Sequence, residues 1–241
     1  MYRNVDLKNV QKILEAENME KVGLRKAPAY IVCENEAISA SIVSIDENVA
    51  ELFKWQLEAG TFPRKGNEIV VSQGLLDAMD IKGNIGDTIT IPFQPVKRNG
   101  LGAMESKKFL ITGITPTTEE MQNNGVYSAL VSDAFVKEIL SEEEQVCRVY
   151  VRLNGTEGKI TDSIEAEVEE IGSEYGIKKE DIVTNSEYLM ANYVDPALYS
   201  GIAIIMAVIV LAGILTIYSI YYVSMLDRVQ EYGRLRVKYP Q

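Results

Sequence analysis

Hydrophobic and polar residues follow several patterns along this chain, and the longest apolar run lies near the C-terminus. No residue from Pro196 to Leu226 is charged, and residues 197–223 are apolar on every helical face. Because a helix rises about 1.5 Å per residue, this run can reach about 40 Å, against roughly 30 Å of bilayer hydrocarbon. Core helices of soluble proteins usually have a polar stripe and are shorter. The pattern therefore predicts a transmembrane helix over residues 197–223.

The residues before this run change repeatedly between strand and helix periods. The predicted strands are 29–33, 38–44, 68–72, 88–91, 109–114, 126–132, 147–153 and a short one at 182–183. The predicted helices are a short one within 5–20, then 47–57, 75–79, 134–140, 160–175 and a last one ending at Tyr193. Residues 92–106 contain two prolines and two glycines among few apolar residues, so we expect a long exposed hairpin loop there.

This order of elements predicts an α+β domain over residues 1–195. The middle block, about 59–144, has a strand pattern of its own. We therefore expect two lobes, in which this middle lobe is inserted into an outer lobe formed by about 1–58 and 145–195. Mixed or antiparallel sheets with packed helices would build both lobes, and one transmembrane helix would follow.

Charges on either side of the apolar run predict its orientation. After the run, the tail 224–241 holds the bases Arg228, Arg234, Arg236 and Lys238. Before it lie Glu187 and Asp195, and Lys179 is the nearest preceding base. Because basic flanks tend to stay in the cytoplasm, we predict a cytoplasmic tail and an extracytoplasmic domain, 1–195, on a cell membrane.

Composition excludes several classes of function. The chain has a formal net charge of −11, and its tail holds four bases and two acids, which leaves −13 for residues 1–223. So acidic a domain repels phosphate, which argues against nucleic-acid binding. The absence of histidine excludes Ser-His-Asp and Cys-His catalysis and disfavours a catalytic zinc site. We therefore expect no enzymatic activity and no catalytic, cofactor or metal site.

A charged motif follows the apolar run. It reads Arg228-x-x-Glu231-Tyr232-Gly233-Arg234-Leu235 and continues with Arg236. Earlier in the chain stand Leu57-x-x-Gly60-x-x-Pro63, Glu68-Ile69-Val70-Val71-Ser72, Gly86-Asp87-Thr88-Ile89 and Ile111-Thr112-Gly113-Ile114. In this order, beside a membrane span, these residues resemble the MacB/FtsX-like ABC transporter permeases over most of residues 40–236. The chain would then hold the extracytoplasmic core domain of such a permease and the transmembrane helix that follows it.

The resemblance implies partners. In that family the charged motif lies close to the ATP-binding subunit, so we expect a coupling role for Arg228, Glu231, Tyr232, Gly233, Arg234 and Leu235. ATP hydrolysis would occur on that partner, since this chain has no G-x-x-x-x-G-K-[ST] loop. A second permease copy or homologue and the lipid bilayer are the other expected partners. The outer domain would transmit or gate movement, in export or in mechanotransmission.

The family also has membrane helices that this chain does not contain. One precedes the outer domain and two more follow the motif, so we interpret the chain as a fragment of a permease. Within the predicted span, Ala203 and Ala207 lie one turn apart and can form a close-packing face for another helix. A segment this rich in alanine produces such a pair by chance about as readily.

Two alternatives use the same features. A single-span receptor would present a ligand-sensing domain outside the cell, but receptor linkers usually continue as heptads, which the tail lacks. A membrane-anchored hydrolase would need paired carboxylates, such as Glu68 with Asp87. Cys33 and Cys147 can form one disulfide or remain buried free thiols, and the sequence leaves both open.

Overall fold

The computed structural model describes residues 1–156, 159, 161–185 and 196–238, with side chains between 196 and 238 described for residues 197–230 only. It divides into a domain, Met1–Leu189, and a second unit, Met190–Gln241, which contains the C-terminal helix.

The domain mixes strands with short helices. Its described strands are β1 Tyr2–Asp6, β2 Met19–Ile31, β3 Ser39–Ile45, β4 Ala59–Gly60, β5 Glu68–Ser72, β6 Thr88–Lys97, β7 Gly100–Leu101, β8 Glu105–Thr115, β9 Val126–Val131 and β10 Val146–Leu153. Its described helices are α1 Leu7–Leu14, α2 Glu47–Leu52, α3 Gln73–Ala78, α4 Glu119–Asn124, α5 Asp133–Ile139 and α6 Thr161–Glu174, and a 3-10 turn spans Lys179–Asp181. The second unit contains α7, Pro196–Lys238.

The strands form one mixed sheet, and part of it closes on itself. The order is β1-β10-β2-β3-β9-β5-β8-β6-β7, and β4 pairs with β8. The pairs β3–β9 and β5–β8 are parallel, while the other pairs are antiparallel. The end of β2 also pairs with β6, since Ile31 lies opposite both Ala40 and Phe93. The strands β2, β3, β9, β5, β8 and β6 therefore make a closed ring.

The larger hydrophobic cluster draws on every strand of this ring. Its fully buried members include Ile42, Ile69 and Ile111, and α3 and α5 add Leu75, Leu76 and Phe135. The ring of Phe135 packs edge-to-face on Phe93 and Phe109, with centroids 5.5 and 5.3 Å apart. Each such side chain contributes about 2–3 kcal/mol by leaving water, so this cluster is the main source of stability in the domain.

A second cluster joins the two ends of the domain. It contains residues of β1, α1, the first half of β2, β10 and α6, among them Ile13, Val149 and Ile171. Tyr2 is fully buried there, and its hydroxyl donates to the carbonyl oxygen of Val168 (3.0 Å). Burial raises the pKa of Tyr2 well above its ordinary value, so the phenol remains a neutral donor.

The structure confirms the predicted fold class as a mixed sheet with packed helices followed by one apolar helix. Five predicted strands are present, and most of their ends agree with the prediction to within one or two residues: 38–44, 68–72, 109–114, 126–132 and 147–153. The helix predicted to end at Tyr193 lies outside the described residues. The short strand at 182–183 is a bridge between Tyr2 and Ile182.

Residues 92–106 are a strand hairpin, and the prediction of a long exposed loop was wrong. β6 continues to Lys97, and Phe93 is buried in the larger cluster. The two prolines that suggested a loop stand at strand positions that do not require a backbone N–H donor. Pro92 accepts from the backbone of Val32 (2.9 Å), and Pro95 accepts from Gly102 (2.8 Å).

Two predicted boundaries near the N-terminus were also wrong. β2 begins ten residues earlier than expected, at Met19 rather than Ala29. Gly23 lies within β2 under α2, where a Cβ atom would come within 2.8 Å of Val49. The helix predicted over 47–57 ends at Leu52, because Phe53 leaves the helical conformation and Lys54 has φ +51°.

The predicted lobe boundaries at 58/59 and 144/145 stay predictions. Most of the middle block packs in the larger cluster, together with Ala29, Ile31, Ala40 and Ile42 of the first 58 residues. Residues near both ends of the domain make up the second cluster.

Candidate functional site

Helix α7 is long and apolar enough to cross a membrane. Its candidate span is 34 residues, Ala197–Gln230, and the most apolar 18-residue stretch within it has a mean hydropathy of 2.7. None of that stretch is buried, which excludes a core helix, and its position near the C-terminus excludes a signal sequence. At about 1.5 Å per residue the whole span reaches about 50 Å, well over the roughly 30 Å of hydrocarbon. Helix α7 is therefore assigned as a transmembrane helix.

The polar side chains within this helix are satisfied internally. The hydroxyls of Ser200, Thr216 and Ser219 donate to backbone carbonyl oxygens three or four residues earlier, at 2.8–2.9 Å. Such bonds are what hydroxyls need in lipid, where no water is available.

Aromatic residues mark both ends of the apolar run. Tyr199 lies at one end, and Tyr218, Tyr221 and Tyr222 lie towards the other. The rings of Tyr218 and Tyr222, one turn apart, stack with centroids 6.2 Å apart. Rings of this kind prefer the headgroup level, so these tyrosines are suited to the two membrane interfaces.

The predicted coupling motif continues the same helix. Residues 228–235 all lie in α7, which ends at Lys238. At about 100° per residue, positions 228, 231, 232 and 235 fall within one face, whereas 233 and 234 fall outside it. Arg228 is exposed. The side chains of Glu231, Tyr232, Gly233, Arg234 and Leu235 lie outside the described residues, so their coupling role stays a prediction.

Ala203 and Ala207 share one face of α7, and both are exposed. By the same helical geometry, Tyr218 and Tyr222 fall within about 100° of that face. The face thus carries small residues in one half and aromatic residues in the other. Packing of a second helix against it stays a prediction.

The two ends of the domain are tied together. The backbone nitrogen of Met1 donates to the carbonyl oxygen of Val183, and the nitrogen of Val183 donates back to Met1, both at 2.8 Å. Tyr2 forms a bridge with Ile182, and the side chain of Asn4 donates to Asp181 (2.7 Å). The first residues of the domain are therefore in direct contact with residues 181–183.

The domain also contains a groove of about 1220 Å³. Trp55, Leu57 and Phe62 form its apolar wall, and α2 and the start of α5 form the other sides. On the polar side, Lys26 donates to Asp133 (2.6 Å) and to Gln145 (3.1 Å). Burial acts to raise the pKa of Asp133, but the ammonium groups of Lys26 and Lys137 lower it below its ordinary value. The sequence could not indicate this pair, because the partners are 107 residues apart.

Among the residues that the structure describes, the carboxylates considered for a hydrolase, Glu68 and Asp87, each make local hydrogen bonds. Glu68 accepts from the backbone of Arg64 and Lys65, and Asp87 accepts from Asn84, so each carboxylate closes its own turn. Among these residues there is also no group of three or more His, Cys, Asp or Glu that could hold a metal ion.

Cys33 and Cys147 are free thiols that belong to different clusters. Cys33 packs against the larger cluster, and Cys147 lies in the second cluster. Burial raises the pKa of the Cys147 thiol to about 11, and burial also raises that of Cys33.

Because its pKa is raised, Cys147 should react very slowly with thiol reagents near neutral pH. A rise from 9.0 to about 11 lowers its thiolate fraction about a hundredfold. In a Cys33→Ser variant, we expect the labelling rate to rise about tenfold per pH unit until the pH approaches 11. The Cys147→Ser variant, which retains the partly exposed Cys33, is the control and should react faster. Rapid labelling of Cys147 at neutral pH would contradict the burial described here.

Solved structures with a similar fold include regions of MacB and YknZ. The domain is similar to the periplasmic region of MacB from Actinobacillus actinomycetemcomitans, with 13% identity, a TM-score of 0.48, and coverage of 80% of this chain and 85% of that one. It is also similar to the extracellular domain of the noncanonic ABC-type transporter YknZ from Gram-positive bacteria, with 12% identity, a TM-score of 0.48, and coverage of 75% and 89%. No known family model matches the chain. No curated protein matches it either.

Proposed function

We propose that this chain is part of an ABC transporter permease subunit. Its outer domain would transmit or gate movement that a separate ATP-binding subunit drives. The observation that carries the proposal is the continuity of α7, Pro196–Lys238, which runs without a break from the apolar span through the motif at 228–235. At about 1.5 Å per residue, this helix is about 65 Å long. A push at the motif would therefore reach the other end of the helix.

The tied ends of the domain support the same role. A domain placed between two successive membrane helices needs its first and last residues close together, and Met1 and Val183 are hydrogen-bonded. The basic residues after the span favour a cytoplasmic position for the motif, where an ATP-binding subunit would be. Transport by the chain would need further membrane helices, since one span cannot enclose a path.

Association with an ATPase is the test of this proposal. We expect the full-length protein to co-purify with an ATP-binding subunit, and Glu231→Gln and Arg234→Gln to lower the ATPase activity of that complex. Lys238→Gln is the matched control, because it removes a charge from the same helix outside the motif. Failure to co-purify, or equal activity in all three variants, would count against the proposal.

A ligand-sensing receptor is the second candidate, and the groove beside Trp55 is the observation that favours it. A receptor of this kind would bind a small molecule saturably in the domain without any ATPase. A thermal-shift screen of the full chain separates the two roles: a saturable hit lost on Trp55→Ala supports the receptor.

A further inference from the structure

One face of β2 and β10 carries a row of basic side chains. The opposite face packs Val22, Leu24 and Val149 into the second cluster. On the basic face, the cross-strand pairs are Lys21 with Arg152, Gly23 with Tyr150, and Arg25 with Arg148. The row is therefore fixed by the register of the two strands.

The two outer bases in this row have carboxylate partners. Lys21 forms an ion pair with Glu51, and Arg152 lies 3.7 Å from Glu20. In the described part of the chain, by contrast, no carboxylate oxygen lies within 4.0 Å of the guanidinium of Arg25 or of Arg148. The chain contains 35 acidic residues, so acids are abundant in the sequence, but none of the described ones is positioned to pair with these two arginines.

The unpaired arginines repel each other. They lie directly opposite on neighbouring strands, where like charges destabilise a sheet. Arg25 is partly buried, and burial lowers its pKa; the charge of Arg148 acts in the same direction, while the Tyr150 hydroxyl, hydrogen-bonded to Arg25, acts against both. An anion between them would remove this repulsion.

Aromatic groups surround the pair. Tyr150 lies next to Arg148 on the sheet face and packs edge-to-face on Phe53, with centroids 4.8 Å apart. A register shift between Lys26 and Ala29 turns Tyr30 onto the same face as Arg25. Tyr30 is 48% exposed and Phe53 is 50% exposed. Helix α2 covers Gly23 on the same face, and Arg25 is partly buried, but Arg148 is exposed, so solvent reaches the pair at Arg148.

We propose that Arg25 and Arg148 bind a phosphate group. Their two positive charges match a phosphate dianion, their planar guanidinium groups donate paired hydrogen bonds to such oxygens, and Tyr150 or Tyr30 can donate another. The negative charge of the whole domain does not prevent this, because salt screens charges beyond about 8–10 Å while the arginines touch the ligand. The phosphate comes either from a free phosphate compound or from a lipid headgroup. The proposal is independent of the transporter role.

The test measures thermal unfolding of the full chain in phosphate-free maltoside micelles. Trp55 is the sole tryptophan of the sequence, so its fluorescence reports on the domain. We expect inorganic phosphate to raise the transition temperature saturably, compared with chloride at equal ionic strength. Arg148→Gln should weaken the apparent affinity roughly tenfold to a hundredfold, as expected for lost charge-assisted hydrogen bonds. Arg152→Gln, on the same strand and face but ion-paired, should leave it unchanged.

A second arm identifies the source of the phosphate. Phosphatidylglycerol is added to the micelles in place of inorganic phosphate. If the lipid stabilises the protein at a lower concentration than phosphate does, and this effect depends on Arg148, the site binds a lipid headgroup. If phosphate acts at the lower concentration, the site binds a free phosphate compound. Arg148 is exposed, so its variant should fold. The proposal is overturned if neither probe stabilises the protein, or if both arginine variants, at 148 and 152, respond alike.

Discussion

Phe135→Ala is expected to lower the free energy of unfolding of the domain by about 3–5 kcal/mol. Phe135 is fully buried between Phe93 and Phe109, inside the ring of strands. Truncation removes the apolar area and both edge-to-face contacts, and the closed ring cannot easily collapse into the space. The cation–π contact of Lys107, whose ammonium lies 5.1 Å from the centroid of the Phe135 ring, would also be lost. Chemical denaturation followed by Trp55 fluorescence measures the change.

Phe53→Ala is the matched control for this variant. Phe53 is the same residue type but half exposed, and in the described part of the chain its aromatic contact is with Tyr150. We expect a loss of about 1 kcal/mol or less. Equal losses for both variants would show that the cluster inside the ring is not the main source of stability.

Two arginines in the middle of α7 should prevent stable membrane insertion. The apolar run holds thirteen Leu, Ile and Val residues, which contribute about −4 to −8 kcal/mol on the insertion scale. Leu211→Arg with Ile214→Arg costs about 5–7 kcal/mol on that scale, enough to cancel most or all of it. We expect the double variant to leave the membrane fraction on alkaline carbonate extraction.

Leu211→Ile with Ile214→Leu is the control for the double variant. It keeps the apolar character and the positions, so the protein should stay in the membrane pellet. Retention of the arginine variant at the level of this control would mean that α7 does not hold the protein in lipid.

The transmembrane helix could be predicted from the sequence because lipid imposes a local requirement. Residues 197–223 satisfy that requirement by themselves, without reference to any other segment. The strand β5 was equally local, since Ile69, Val70 and Val71 are buried on both faces and read as a continuous apolar run.

Features that depend on pairing between distant segments could not be predicted. Closure of the ring requires the end of β2 to meet Phe93 of β6, and nothing near either segment specifies that contact. Residues 92–106 were interpreted as a loop because their own sequence does not show this pairing with β2. The opposition of Arg25 and Arg148 likewise depends on a register between strands more than a hundred residues apart, so the phosphate site had no signal in the sequence.

Membrane topology is the most direct test of the central claim, that α7 crosses the membrane with the acidic domain outside and the basic end inside. Single cysteines are introduced at Glu143 and at Gln230, both exposed, into the full-length protein without Cys33 and Cys147. A membrane-impermeant maleimide is then applied to intact spheroplasts. We predict that Glu143→Cys is labelled at once and Gln230→Cys only after permeabilisation. Labelling of Gln230→Cys in intact spheroplasts, or protection of Glu143→Cys, would contradict the account.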